Sequence, residues 1–105
     1  MISDPDYARV FTIARCIAWS YGWCITLHGT GTRDLDLLMV PWTVEAADAE
    51  PVVRRIADAT DMKIPHEPRA KPHGRIAWTL MFKAFGDPRW VDLSVLPRLK
   101  EPPCT

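Results

Sequence analysis

The chain has 105 residues, of which 48% are hydrophobic and 25% are charged, and its 13 Lys and Arg side chains balance 13 Asp and Glu. This length suits one domain with a single core, and the apolar fraction excludes a disordered chain. No apolar run reaches the roughly 18 residues of a membrane helix, and Asp4 and Asp6 stand where a signal peptide is positive, so we expect one compact cytoplasmic domain over residues 1–105.

Thiols and charges narrow the possible kinds of site. The three cysteines lack the C-x2-C spacing of a zinc site, so we expect reduced thiols, with Cys16 and Cys24 mostly buried. Residues 1–52 carry 3 basic and 7 acidic side chains, whereas residues 53–105 carry 10 and 6. A uniformly basic nucleic-acid surface is therefore not indicated.

The first predicted element is an amphipathic helix over residues 5–21. Apolar residues recur there at spacings of three and four, which places them on one stripe. Asp4 is in position to cap the helix, with Pro5 as the first helical residue. Gly22 predicts the end of the helix, because glycine accepts the left-handed conformation that follows a last turn.

A hairpin of two strands is predicted next, over residues 23–28 and 33–41. The link of residues 29–32 contains two glycines, which favours a tight turn. Alternation in the second strand places Asp34 and Asp36 on the face opposite Leu35 and Leu37.

The second half of the chain predicts a helix, a loop, another hairpin and a frayed tail. Three prolines between residues 62 and 75 indicate the loop, and Gly86 lies in the turn of the hairpin. The predicted ranges are a helix from about Glu50 to Thr60 with Pro51 at its first position, a loop over 62–75, strands over 75–85 and 89–96, and a tail over 97–105. We therefore expect an α+β fold of order α-β-β-α-β-β, with a four-stranded mixed sheet and two helices on one face.

Three aspartates interrupt the predicted strands. Asp34 and Asp36 are separated by one residue, and Asp92 lies within the last strand. Aspartate is depleted in strands, and an unpaired buried charge destabilises a small domain by several kcal/mol. Mg²⁺ binds oxygen ligands and would compensate that cost, which makes these residues candidate metal ligands. The alternative is that they lie on exposed strand faces and pair with Arg33, Arg75 or Arg89.

Three short motifs resemble the signature of the nucleotidyltransferase superfamily, which includes polymerase-β-like and minimal nucleotidyltransferases. They are His28-Gly29-Thr30, Asp34-Leu35-Asp36-Leu37-Leu38 and Trp90-Val91-Asp92-Leu93. Only three residues separate Thr30 from Asp34, where most members of the superfamily have about ten, including a helical turn. These stretches and others are also similar to small uncharacterised proteins of phages and prophages.

The resemblance implies a role for each motif. Gly29 and Thr30 would contact a nucleoside triphosphate. Asp34 and Asp36 would bind Mg²⁺, and Asp92 would complete the metal site and activate the acceptor as the catalytic carboxylate.

Cationic side chains are also required, because nucleotidyl transfer releases pyrophosphate. The segment Lys63–Arg75 is the richest local source of positive charge. The candidate phosphate-binding cations are Arg33, Lys71 and Arg75; the alternative is that the segment is an ordinary solvated connection.

Two functions follow from these observations. The first is a small Mg²⁺-dependent nucleotidyltransferase-like protein that transfers a nucleotide from an NTP to a protein or nucleic-acid acceptor. The second is a non-catalytic, phage-encoded protein that uses the same scaffold to bind and modulate a partner. Trp42 and Trp90 are the tryptophans that we expect to contact a ligand or partner.

Overall fold

A computed structural model describes residues 2–29 and 34–100 of the chain. The described residues form an α+β fold, as predicted. In chain order its elements are α1 (Pro5–Ser20), β1 (Trp23–His28), β2 (Leu35–Pro41), α2 (Ala49–Ala59), β3 (Met62–Lys63), β4 (Arg69–Ala70), a short 3-10 turn (Pro72–Gly74), β5 (Ile76–Phe82) and β6 (Trp90–Val95).

The strands form one mixed sheet in the order β1-β2-β6-β5. The two predicted hairpins, β1–β2 and β5–β6, are antiparallel, and the hairpins join through parallel pairing of β2 with β6. Strands β3 and β4 both pair antiparallel with β5 at the far edge of the sheet. The sheet is therefore mixed, as expected, but has six strands.

The prediction of four strands is wrong because residues 62–75 are not entirely loop. Met62 and Lys63 pair with β5, and Arg69 and Ala70 pair with it further along. Prolines interrupt a central strand but are tolerated beside an edge, so two-residue pairings fit between them.

Both helices begin close to the predicted residues. Asp4 caps α1, since its Oδ1 accepts the backbone N–H groups of Asp6 at 2.9 Å and Tyr7 at 3.5 Å. Helix α2 starts at Ala49, so Pro51 is its third residue and not its first. Proline is accepted in this first turn because the N–H groups there have no partner within the helix.

One apolar core lies between the helices and the sheet. Its members come from the inward faces of both helices and of the long strands, including Tyr7, Val10, Ala14, Trp23, Leu35, Leu37, Met39, Val53, Ile56, Trp78, Leu80, Val91 and Leu93. The helices thus cover one face of the sheet. Cys16 is exposed and Cys24 is half-buried, so the expectation that both are mostly buried is wrong.

Two further observations concern the chain as a whole. No helix within the two described ranges is long and apolar enough to cross a bilayer. In the segment predicted to fray, Arg98 donates to the carbonyl of Ala46 at 3.3 Å and lies 3.0 Å from a carboxylate oxygen of Asp48. The start of the tail is therefore attached to the residues before α2.

Candidate functional site

The candidate site is a row of side chains across four strands, on the sheet face opposite the helices. His28 of β1 is the register partner of Asp36 of β2, Asp36 is that of Asp92 of β6, and Asp92 is that of Thr79 of β5. Neighbouring strands lie about 4.8 Å apart, so the two aspartates are direct neighbours. They are brought together from distant parts of the chain.

Strand alternation determines which way these carboxylates point. In β2 the residues on either side of Asp36 are buried, and in β6 the residues on either side of Asp92 are buried. Since successive side chains point to opposite faces, burial of Leu35, Leu37, Val91 and Leu93 in the core directs both aspartates to the other face. Each aspartate is half-buried there.

The two carboxylates repel one another. Burial raises the pKa of Asp92, the negative charge of Asp36 raises it further, and the positive charge of Lys71 lowers it. Both effects that raise this pKa disfavour the ionised form, because charge is removed from water and placed beside a like charge. A cation bound between the two carboxylates would relieve both.

None of the arginines that the structure describes forms a salt bridge with Asp36 or Asp92. Within the described part of the chain, no salt bridge includes either residue. Arg89, one of the expected partners, instead pairs with Asp4, Asp6 and Asp87. Arg33, another expected partner, lies outside the described residues.

Asp34 is the third candidate ligand, and it precedes the first residue of β2 and is exposed. Burial is the main cause of the raised pKa of Tyr7 in α1, and the negative charge of Asp34 raises that pKa further. Among the described residues there is no group of three His, Cys, Asp or Glu side chains placed to hold a metal ion. The geometry therefore brings together two of the three predicted ligands.

The predicted phosphate-binding residues are placed in different ways. Gly29 follows β1 directly, with a φ of +86° and open space where a side chain would be. Thr30, like Arg33, lies outside the described residues. The positive charge of Lys71 lowers the pKa of Asp92, so Lys71 lies near that carboxylate. The Nε of Arg75 instead donates to the carbonyl of Pro72 at 3.4 Å.

A backbone hydrogen bond positions Lys71. Its N–H donates to the carbonyl of Arg75 at 2.8 Å, which closes the turn of residues 71–75 beside β5. The basic segment is therefore tied to the edge of the sheet, and Lys71 is the cation that it contributes near the carboxylates.

Sequence reasoning missed two members of the row, His28 and Thr79. The motif His28-Gly29-Thr30 contains His28 but implies no role for it, and no motif contains Thr79. The signal lay in the pairing register: a residue opposite Asp36 or Asp92 on the same face belongs to the site. That register cannot be read from the turn residues, because β1 ends at His28 and β2 begins only at Leu35.

Comparison with known proteins adds no relative. No protein-family model matches the chain, and comparisons with curated proteins and with solved structures give no significant match. The resemblance to nucleotidyltransferases therefore depends on the short motifs alone.

Proposed function

We propose that this chain is a small Mg²⁺-dependent nucleotidyltransferase-like protein that moves a nucleotide from an NTP to a protein or nucleic-acid acceptor. One observation carries the proposal: Asp36 and Asp92 are register partners on adjacent parallel strands, and no salt bridge among the described residues neutralises them. Two half-buried carboxylates in this relation form a site that attracts a cation.

The residues present suit Mg²⁺. This ion needs oxygen ligands and commonly uses one or two carboxylates together with substrate phosphates, so the pair Asp36 and Asp92 is a sufficient protein contribution. Asp34 is the third carboxylate that the motif resemblance implies. When bound, the metal would neutralise charge that develops on the transferred phosphoryl group.

The chain's own groups supply the remaining requirements. Lys71 provides positive charge for a phosphate next to Asp92. A Cβ added at Gly29 would lie within 4 Å of no described atom, so a phosphate oxygen has room to approach the backbone of this residue. Asp92 is the candidate for accepting a proton from the acceptor hydroxyl, since its raised pKa makes it a stronger base than an ordinary aspartate.

The non-catalytic alternative is favoured by a different observation. Among the described residues, Asp34 does not join Asp36 and Asp92 in a three-ligand group. A protein that kept the scaffold for binding a partner would not need that group. This function predicts a partner complex that survives replacement of Asp34 and Asp36 by asparagine.

Calorimetric titration of ATP into the protein tests the enzymatic proposal. We expect binding in the presence of MgCl₂, loss of binding in EDTA, and loss of binding in the double variant Asp36→Asn/Asp92→Asn. Asp58→Asn is the matched control, because Asp58 is an exposed aspartate on α2 outside the site. ATP labelled at the α-phosphorus, incubated with RNA or with protein, then reports nucleotide transfer.

The proposal is wrong if the native protein does not bind ATP with Mg²⁺, or if the double variant binds it equally well. Thermal unfolding of each variant shows that any loss comes from the site and not from misfolding. Binding without label transfer to either acceptor would favour the non-catalytic function.

A further inference from the structure

A groove of about 700 Å³ lies between α1 and the outer edge of β1, away from the aspartate pair. Successive turns of the helix supply Phe11, Arg15 and Trp19 to one wall, and residues 24–26 form the other. Trp19 stacks on Trp42 with ring centroids 4.8 Å apart, and these two indoles are 59% and 50% exposed. The groove therefore continues into an exposed aromatic surface.

The strand that borders this groove has an unpaired edge. β1 is the terminal strand of the sheet and pairs only with β2 in the part of the chain that is described. The N–H of Trp42 donates to the carbonyl of Gly22 at 3.0 Å, so Gly22 and Trp42 form a hydrogen-bonded pair at the end of the β1–β2 ladder. Bonded and non-bonded pairs alternate along an antiparallel ladder, which makes Ile25 and Leu27 members of non-bonded pairs. Their N–H and C=O groups therefore point away from β2.

The two edges of the sheet differ in their protection. Proteins block an exposed edge with lysine, proline or very short strands, since a free edge accepts another chain. The far edge has this protection, because β3 and β4 are two residues each and lie in a proline-rich basic segment. β1 has six residues and contains neither lysine nor proline.

The described lining of the groove carries a positive charge. Of the described residues that line it, Arg15 is the charged one, and its guanidinium lies 5.4 Å from the centroid of the Phe11 ring. Between residues 7 and 29 the chain contains Arg9 and Arg15 but no acidic residue. Among the described residues, Arg15 forms no salt bridge.

We propose that this groove binds an extended segment of another protein, which adds to β1 as a further strand. Its backbone would pair with Ile25 and Leu27, its apolar side chains would contact Phe11 and Trp19, and an acidic side chain would pair with Arg15. Main-chain pairing with pockets for alternate side chains is an established mode of peptide recognition.

A second copy of the chain is a poorer occupant. Symmetric pairing of β1 with β1 requires a twofold axis through the groove. Arg15 lies at the middle of the helix wall, between Phe11 and Trp19, so two Arg15 side chains would face each other. Like charges in this position oppose association.

Selection from a displayed library of random peptides tests the proposal, with a variable core matched to the six residues of β1. We expect enrichment of alternating apolar residues with an aspartate or glutamate. Fluorescence anisotropy then measures the selected peptides against the native protein, Arg15→Glu and the matched control Arg55→Glu. Reversal of the groove charge should weaken binding by roughly tenfold or more, and the control on α2 should not.

The site of binding is checked by NMR, where the amide signals of Ile25 and Leu27 should shift on addition of a selected peptide. Absence of enrichment, or equal binding by Arg15→Glu and the native protein, would overturn the proposal. So would a dimer in sedimentation experiments that protects the Ile25 and Leu27 amides from exchange, because it would assign the edge to a second copy.

Discussion

Arg89 connects the start of α1 to the turn between β5 and β6. Its guanidinium lies 2.8 Å from a carboxylate oxygen of Asp4, 3.0 Å from one of Asp6 and 2.8 Å from one of Asp87. The same group lies 4.5 Å from the centroid of the Phe82 ring. With the Arg89 side chain 31% exposed and that of Asp87 13% exposed, this cluster is better shielded from water than an ordinary surface ion pair.

Replacement of Arg89 by methionine should lower the melting temperature at neutral pH by several degrees, because three carboxylates lose their cation. Hydrogen bonds from Arg89 lower the pKa values of Asp4 and Asp87. A carboxyl whose pKa is lower in the folded state stabilises the fold above its unfolded pKa, near 3.9, and this contribution is lost as the pH falls through the folded value. Circular dichroism melts from about pH 7 to about pH 3 measure both effects.

The pH dependence of the melting temperature distinguishes the loss of the Arg89 ion pairs from a loss of packing. As the pH falls below about 4, the unfolded pKa, the difference between Arg89→Met and the native protein should begin to shrink, because protonation of the carboxylates then removes the stabilisation that Arg89 provides. Arg55→Met, on the exposed face of α2, is the control and should melt like the native protein throughout. A pH-independent difference for Arg89→Met would show that its contact with Phe82 dominates.

At the scale of elements, Gly22 sets the reversal between α1 and β1. Its φ is +89°, and a Cβ at this position would lie 2.8 Å from the Cα of Ala46 and 2.9 Å from a side-chain methyl of Thr43. The sequence predicts the glycine as the end of the helix, but not the close approach of the segment before α2. That approach is a tertiary contact and depends on how the whole chain folds.

Gly22→Ala should reduce the free energy of unfolding by about 2–4 kcal/mol, since a strained backbone and a steric overlap add together. Gly86→Ala is the matched control: its φ is +79°, but nothing lies within 4 Å of the added methyl. We expect a loss of about 1–2 kcal/mol there, from backbone strain alone. Urea unfolding of the two variants checks the difference, and equal losses would contradict the steric explanation.

Elements with a clear local cause were predictable. The Asp4 cap and the proline at the first helical position define the start of α1, and alternation defines the faces of β2 and β6. The pairs Met62–Lys63 and Arg69–Ala70 were not predictable as strands, because two residues contain no period. They are strands because β5 offers them an edge.

At the scale of the whole molecule, the decisive feature is the parallel pairing of β2 with β6. The chain between these strands includes α2 and three other strands, so the neighbourhood of Asp36 and Asp92 is a long-range consequence of the sheet order. The burial of its two strand neighbours directs each carboxylate to the same face of the sheet. The two carboxylates repel each other because they are neighbours on that face.

Asp92→Asn should therefore stabilise the fold at neutral pH by about 0.5–1 kcal/mol. This gain lies in the lower part of the range that is usual for single stabilising substitutions, because the site is partly exposed to water. The pKa of Asp92 is raised in the folded state, so its ionised form destabilises the fold above that pKa, and protonation removes the effect as the pH falls. The advantage of the variant in urea unfolding should thus disappear in acid, toward pH of about 4.

The double variant Asp36→Asn/Asp92→Asn shows whether the gain in stability comes from the repulsion between the two carboxylates. Asp36→Asn removes the same repulsion, so the double variant should gain less than the two single variants added together. Asp58→Asn, outside the site, should be additive with Asp92→Asn. A destabilised Asp92→Asn would show that this carboxylate is held by favourable contacts and would argue against a cation site.

The sequence by itself determined the α+β class, the helix starts and the faces of the strands, because caps and hydrophobic periods act within a few residues. It also indicated Asp36 and Asp92 as candidate ligands, whereas the expectation that they meet at one metal site came from the motif resemblance. The tertiary structure decided that Asp36 and Asp92 are register partners, that His28 joins their row, and that β1 pairs with no strand but β2 among the described residues. Pairing between strands is decided by the packing of one shared core, and no local stretch of sequence contains that information.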